Sequence, residues 1–419
     1  METFLRIFRT PELRNSLLFI LFTVTVFRIA AHIPVPGIDA SGLAALLEGN
    51  QFLGLLNVFS GGTLTNFSIV ALGVAPYITA SIIFQLLGMI LPSMEELQKE
   101  EQGRAKINRW TRFATVPLCF LQGFALIRVL SASSVGFAVT GWDLAAVLVS
   151  MAAGTVFLMW LGELISERKV GNGMSILIFA GIIAGLPATI GQLAATYTGA
   201  DILNMVVFVL LILVTIVGVV VVSEGQRNIP VQYARGGARG AGGKVQSSLP
   251  LRVNIGGMIP IMFALSIIVL PTLLAQFFTT ARTQIVRDIA QGVTVLFSNN
   301  LFHAIAYFLL VFGFTFFYAS IVFRPEQVAE NLQKQGGFIP GVRPGEQTAK
   351  YIQWVINRLL LTGALFLSTI AILPNVVQAI TGNQNVIVGG SSVIIIVSVV
   401  IDIVKQVQSQ LTMRSYDVS

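Results

Sequence analysis

The chain has 419 residues, of which 55% are hydrophobic and 11% charged, and its formal net charge is +7. Soluble domains contain about 25% charged residues, so this chain lacks the charge needed to cover a surface that faces water. The composition therefore excludes an ordinary soluble protein and predicts an all-α polytopic membrane protein.

Ten apolar segments follow one another along the chain, each close to the length of about 20 residues that a membrane-spanning helix needs. The first follows Arg6, Arg9 and Arg14 and lacks a convincing cleavage site after it, so we interpret it as an uncleaved membrane helix. The segments are 15–33, 69–91, 112–131, 143–165, 174–196, 202–223, 255–279, 300–323, 355–374 and 389–410.

The loops between these segments alternate in charge. Odd-numbered loops hold only Arg282 and Arg287 as cations, whereas the tails and the even-numbered loops carry nearly all the others. Because Lys and Arg are retained on the cytoplasmic side of a membrane, both termini are predicted to be cytoplasmic. Five segments precede the link 197–201 and five follow it, so the halves 1–196 and 202–419 are predicted to be inverted relative to each other. Pathways form at the interface of such halves.

Two of the predicted cytoplasmic loops, 224–254 and 324–354, are unusually long, and loops of that length are usually functional or disordered. The first contains R-G-G-A-R-G-A-G-G-K at 235–244. We interpret this string as the mobile tip of a basic hairpin. RNA binding by an RGG-like segment is the alternative.

Ionisable side chains are rare within the apolar segments, although ion-coupled transporters generally keep such groups deep in the membrane. The chain also lacks a zinc-protease motif, a serine elbow, paired intramembrane aspartates and a phosphate-binding loop. We therefore predict no catalytic residues, cofactor or metal. A secondary transporter of small solutes and an intramembrane enzyme are the alternative functions. The few candidates lie near segment ends or at the outer interface: Arg28, His32, Arg128, Glu163, His303 and Asp402.

The stretch F-S-G-G-T-L-T-N-F-S at 59–68 is too polar and glycine-rich to cross lipid, yet too apolar for a hydrated loop. Non-helical backbone is tolerated at membrane depth where it is buried in protein or lines a cavity, so a short re-entrant segment that plugs a cavity is predicted. In the next segment, Pro76 is expected to break the helical hydrogen bonding. In the fifth segment, small residues four apart, among them Gly181 and Gly185, permit close helix contact.

Several of these stretches resemble signature segments of the SecY/Sec61 family. They are S-I-V-A-L-G-V-A-P-Y-I-T-A-S-I-I-F-Q-L-L from Ser68, F-R-I-A-A-H-I-P-V-P-G-I-D at 27–39, F-L-M-W-L-G-E at 157–163 and G-F-I-P-G-V-R-P-G-E-Q-T-A-K-Y at 337–351. The last is typical of the bacterial branch. The resemblance implies ten transmembrane helices in two five-helix halves that form a clamshell, with a short plug helix at about 56–66. It also implies a channel that passes unfolded polypeptides across the bacterial inner membrane and releases apolar segments sideways into lipid.

The resemblance further assigns roles to single residues. The implied pore ring has Met at two positions and Val at one where the family commonly has Ile, so the ring stays apolar while its diameter changes. For Arg343, a capped turn near Glu346 is the alternative to a docking role. The implied residues are Val74, Ile78, Met174, Ile178, Met262 and Ile395 for the ring, Asn57, Phe59, Gly61 and Gly62 for the plug, Gln85 and Asn172 for the lateral gate, and Arg235, Arg239, Arg343 and Glu346 for docking.

The partners implied by the same resemblance are the small subunits SecE and SecG, the SecA ATPase, the ribosome, the preprotein with its signal sequence, and membrane lipids. Energy would come from ATP hydrolysis by SecA or from elongation by the ribosome, and from the membrane potential. Direct DNA binding is not expected.

Overall fold

In this computed structural model, the structure describes residues 10–36, 56–57, 60–132, 141–195, 202–233, 246–278, 283–381 and 385–417. These residues are mostly helical, as the sequence predicts. The helices are α1 (Pro11–Ala30), α2 (Ala75–Ile90), α3 (Pro92–Lys99), α4 (Glu101–Ala132), α5 (Trp142–Glu167), α6 (Gly173–Ala195), α7 (Ile202–Glu224), α8 (Ile259–Phe278), α9 (Gln284–Ser298), α10 (Asn300–Val322), α11 (Pro325–Lys334), α12 (Glu346–Thr381) and α13 (Asn385–Asp417). The strands are β1 (Gln226–Tyr233), β2 (Gln246–Arg252) and β3 (Gly337–Phe338).

Within the described ranges, 6 helical stretches are long and apolar enough to cross a membrane. The pair α2 and α3, bent by 111° at their junction, would make a seventh. Shorter apolar stretches lie in α6, α7 and α8. Each of the ten segments predicted from the sequence overlaps one of these helices. The 6 stretches are Pro11–Ala30, Glu101–Ser131, Trp142–Glu167, Asn300–Lys334, Glu346–Ala379 and Ser392–Thr412.

The start of α2 corrects the expectation for Pro76. Residues 69–74 form turns, and α2 begins at Ala75, so Pro76 lies in its first turn. Proline is well suited to this position, because the N–H it lacks would have no helical partner there and its fixed φ matches the helix. Pro76 therefore helps to begin a helix and does not break one.

One buried apolar cluster runs through most of the helices and joins the two halves of the chain. It includes Phe27 from α1, Ile178 from α6 and Ile268 from α8. Helix α8 packs against α2 and α4, whereas α6 packs against α13. The first five predicted segments therefore meet the last five along two separate lines of contact.

The two long loops fold together on one side of the helices. Strands β1 and β2 form an antiparallel hairpin whose register runs from Gln226 opposite Arg252 to Gln232 opposite Gln246. This agrees with the predicted hairpin, while the tip at 234–245, with Arg235 and Arg239, lies outside the described residues. Strand β3 from the second loop pairs with β1, giving the order β2-β1-β3. Ile229 of β1, Leu332 of α11 and Ile352 of α12 share a buried cluster, so the loops form one packed unit.

Two further features add to the sequence-based expectations. The predicted outer loop 280–299 contains α9, an amphipathic helix that the search for long apolar segments did not detect. His303, expected at the outer interface, is 9% exposed between α10 and α12, where Asn375 Nδ2 lies 3.3 Å from its Nδ1. This histidine is therefore a packed, hydrogen-bonded group of the core.

Candidate functional site

A cavity of about 630 Å³ opens between α2, α4, α5, α6, α8 and α10. Its mouth is polar and includes Arg104, Asn108 and Arg324. These residues lie in or next to the predicted cytoplasmic loops, so the cavity opens on the predicted cytoplasmic side. Beside it, Arg112 Nε and Glu163 Oε1 are 2.6 Å apart and link α4 to α5.

The lining of the cavity also has an apolar part, to which Ile78 from α2, Met174 from α6 and Met262 from α8 contribute. The residues proposed from the sequence for the ring all belong to one buried cluster, with exposed fractions of 2% for Val74, 5% for Ile78, 8% for Met174, 1% for Ile178, 5% for Met262 and 1% for Ile395. They come from α2 with its preceding residue, α6, α8 and α13. Such side chains offer no hydrogen bond to water or to a peptide, so their cluster is chemically suited to a non-binding seal.

Two pairs of proposed ring residues, Val74 with Ile78 and Met174 with Ile178, are each spaced by four residues. The amide of Ile78 donates to the carbonyl of Val74 at 3.1 Å, which is the first hydrogen bond of α2. Met174 and Ile178 lie one turn apart in α6. In both pairs the two side chains share one face of their helix.

The segment before α2 is buried and its backbone is stabilised by its own side chains. Ser60 Oγ donates to Asn57 O at 2.9 Å, and Thr63 Oγ1 lies within hydrogen-bond distance of Ser60 O and Val70 O. Gly61 and Gly62 have φ values of 72° and 76°, which favour glycine. These bonds satisfy backbone groups in a segment built from turns and a short 3₁₀ helix, Leu64–Asn66. Phe59, proposed for the plug with these residues, lies outside the described part of the chain.

The two amides proposed for the lateral gate both line the cavity but make hydrogen bonds within their own helices. Gln85 Nε2 donates to Ser81 Oγ at 2.9 Å. Asn172 Oδ1 accepts from the amides of Met174 and Ser175 at 3.0 and 3.3 Å, so it caps α6.

The sequence analysis did not single out a polar contact between helices. Gln122 Nε2 of α4 donates to Thr79 Oγ1 of α2 at 3.2 Å, and both side chains are buried. A small cavity lies beside this pair and is also lined by Ser266 of α8. The Oγ of Ser266 has no protein partner among the described residues. The sequence did contain a signal for this contact, because Gln122 is an amide in an otherwise apolar segment and a buried amide requires a hydrogen-bond partner.

The turn that precedes α12 leaves the Arg343 side chain exposed. Thr348 Oγ1 donates to the Arg343 carbonyl at 2.9 Å and holds this turn. Glu346 pairs instead with Lys350, whose Nζ lies 2.7 Å from its Oε1 on the exposed side of α12. The turn is thus capped by a threonine, while the guanidinium of Arg343 faces outward.

Comparisons with known proteins point to one family. The family model described as SecY matches residues 68–404. The protein translocase subunit SecY of Streptomyces coelicolor is 42% identical, with 100% of this chain and 99% of the relative covered. The subunit of the same name from Bacillus subtilis is 40% identical, with 99% and 98% covered.

Solved structures show the same fold at lower identity. A structure described as that of a protein conducting channel has a TM-score of 0.65 at 18% identity, covering 94% of this chain and 91% of the other. Canine Sec61 in a ribosome-channel complex has a TM-score of 0.61, also at 18% identity, with 94% and 91% covered.

Proposed function

This chain belongs to the SecY family of protein translocase subunits, and we propose that it forms the pore through which unfolded polypeptides cross the bacterial inner membrane. The observation that carries this function is a cavity lined both by polar residues of the predicted cytoplasmic loops and by apolar residues of the proposed ring, which we take as its apolar end. A polar vestibule keeps an unfolded chain solvated. The apolar end offers no strong binding and therefore lets any sequence pass.

We propose that the ten apolar helices span the membrane as two inverted halves, 1–196 and 202–419, with both termini in the cytoplasm. The two lines of contact, α8 with α2 and α4, and α6 with α13, suit a clamshell that opens along one line and stays joined at the other. Opening between α8 and α2 would create a side exit. Apolar segments would leave through it, because lipid solvates them better than water does.

The closed state is proposed to depend on two barriers. Val74, Ile78, Met174, Ile178, Met262 and Ile395 form the ring, which can gate by expelling water from a narrow apolar constriction. The second barrier is the plug at about 56–66, which includes Asn57, Gly61 and Gly62. Burial of this polar segment beside the apolar cluster supports that role. One solved structure with the same fold is described as showing that the SecY plug domain stabilises the closed channel.

Docking of the energy source is assigned to the unit formed by the two long loops. The exposed guanidinium of Arg343 and the exposed carboxylate of Glu346 lie on this unit, and Arg235 and Arg239 belong to the hairpin tip. We propose the SecA ATPase and the ribosome as partners there, and SecE and SecG as the small subunits that hold the halves together. A ribosome partner is in keeping with the ribosome-channel complex of canine Sec61.

The test is reconstitution of the purified complex in liposomes with SecA and ATP. Uptake of a presecretory protein into the vesicles is expected. A labelled small solute should not accumulate, because the six proposed ring residues are all apolar and offer no group that would bind a polar solute. Solute accumulation without protein uptake would replace the channel with the secondary transporter.

A further inference from the structure

Two glycines bring the buried segment before α2 into direct backbone contact with α6. A Cβ atom placed on Gly181 would lie 2.2 Å from the Cα and 2.4 Å from the carbonyl oxygen of Gly61. A Cβ placed on Gly61 would lie 3.1 Å from Gly181 Cα. Both contacts are made by backbone atoms, so no side-chain rotation relieves them. Position 181 must therefore lack a side chain for the segment to lie where it does.

Helix α1 holds the same point of the segment from the other side. Arg28 Nη1 donates to the carbonyl oxygen of Gly61 at 3.4 Å. The ring of Phe27 lies 3.3 Å from the position of a Cβ on Gly61. The Gly61 peptide is thus clasped between α1 and α6.

We propose that Gly181 is a positioning residue for the closed channel, and that its missing side chain forms the seat for the plug backbone at Gly61. Arg28 secures the plug in this seat through its hydrogen bond. The sequence predicts that Gly181 allows close contact between helices, whereas in the structure Gly181 contacts the turn at Gly61. The proposal rests on the proposed function, because a seat matters only if the segment closes a pore.

The chain supplies a matched control for the test. Gly185 lies one turn further along α6, and a Cβ there would meet nothing within 4 Å. Gly181→Ala and Gly185→Ala therefore make the same chemical change in the same helix, and only the first intrudes on the plug. In planar bilayers, the complex with Gly181→Ala should show a several-fold higher resting ion conductance, while Gly185→Ala should match the unaltered complex.

A deletion of residues 57–65 separates failure of the seat from failure of the channel. If the deletion raises conductance and Gly181→Ala does not, the proposed role of Gly181 is wrong and the plug assignment is retained. If neither raises it, the plug assignment itself fails. Should the Gly181→Ala complex not assemble, Arg28→Gln replaces it. Loss of the hydrogen bond to Gly61 should then raise resting conductance, and an unchanged value would overturn the proposal.

A second, independent observation concerns α9, whose surface is divided into three sides. Ile285, Ile289 and Leu296 are 69%, 62% and 46% exposed, and at 100° per residue they lie within about 40° of one another. Ala290 is buried and Phe297 packs against the main cluster. The remaining side carries the polar groups Gln284, Arg287, Asp288 and Gln291, with Val295, 72% exposed, among them.

The next helix, α10, also carries an exposed apolar stripe. Leu301, Ile305 and Leu309 of α10 follow at intervals of four residues and are 70%, 52% and 60% exposed, as expected for the lipid-facing side of a span. Helix α9 packs against both α8 and α10. We infer that α9 lies along the outer membrane interface, with Ile285, Ile289 and Leu296 among the acyl chains and its polar side toward water.

Spin labels at two positions test this placement in liposomes. Ile289→Cys carries the label on the apolar side and Gln291→Cys on the polar side. The natural Cys119 is fully buried, so the label should react at the introduced cysteines. The label at 289 should be accessible to oxygen, which concentrates in lipid, and the label at 291 to a water-soluble nickel chelate. Equal exposure of both to the chelate would overturn the inference. Protection of position 289 from both reagents would do the same, since a protein partner would then cover this side.

Discussion

At the scale of single residues, Asn172 makes local hydrogen bonds in addition to the lateral-gate role proposed for it. Its Oδ1 accepts from two backbone amides at the start of α6, which would otherwise lack helical partners. Asn172→Ala should cost about 1 kcal/mol and lower the thermal stability of the purified complex, whereas Asn172→Asp should retain the cap. Melting curves of the two variants measure the difference. Equal losses in both would show that the stability depends on the Nδ2 group and not on the cap through Oδ1.

Arg343 lends itself to a separate test, because its side chain is exposed while its carbonyl is bound by Thr348. Arg343→Glu should abolish SecA-driven export and leave the amount of assembled complex unchanged, since no packed contact is removed. The control is Lys334→Glu, the same change of charge at an exposed residue of α11 in the same unit. Equal loss of export in both variants would indicate a general charge effect, and loss of the assembled complex would favour the capped turn.

At the scale of elements, the unit formed by the two long loops packs its apolar side chains against α10 and α12 in one buried cluster. Ile229 of β1 is 2% exposed within this core, whereas Asn228 beside it is exposed. Ile229→Ala should cost about 2–5 kcal/mol of local stability through the cavity it leaves. Limited proteolysis should then cut the unit faster while the membrane helices stay protected. Asn228→Ala is the matched control, and cleavage as slow in Ile229→Ala as in this control would contradict the packing.

At the scale of the whole molecule, the sequence predicts the features that depend on local composition and periodicity. It does not predict the features that depend on contacts between residues far apart in the chain. Each of the ten predicted apolar segments overlaps a helix, and the polarity of 59–68 indicated a segment that does not cross lipid, which the described residues form from turns and a 3₁₀ helix. Pairing of β3 with β1 could not be predicted, because it joins residues about a hundred positions apart. Helix α9 was missed because polar residues interrupt its apolar ones, so no run of about 20 apolar residues forms. The contact of Gly181 with Gly61 was hidden for the same reason as the strand pairing.

Only the whole fold brings the six proposed ring residues together, so their test is also a test of the assembly. Polar substitutions at Ile78 and Ile178, both to Asn, should keep water in the constriction and raise the ion conductance of a planar bilayer several-fold, because dewetting requires apolar walls. Ile78→Leu with Ile178→Leu keeps the walls apolar and should leave the conductance low. Both pairs alter the same two buried positions, 5% and 1% exposed, so polarity is separated from shape. An unchanged conductance in the assembled Asn variant would remove these residues from the seal and leave the plug as the barrier to ions.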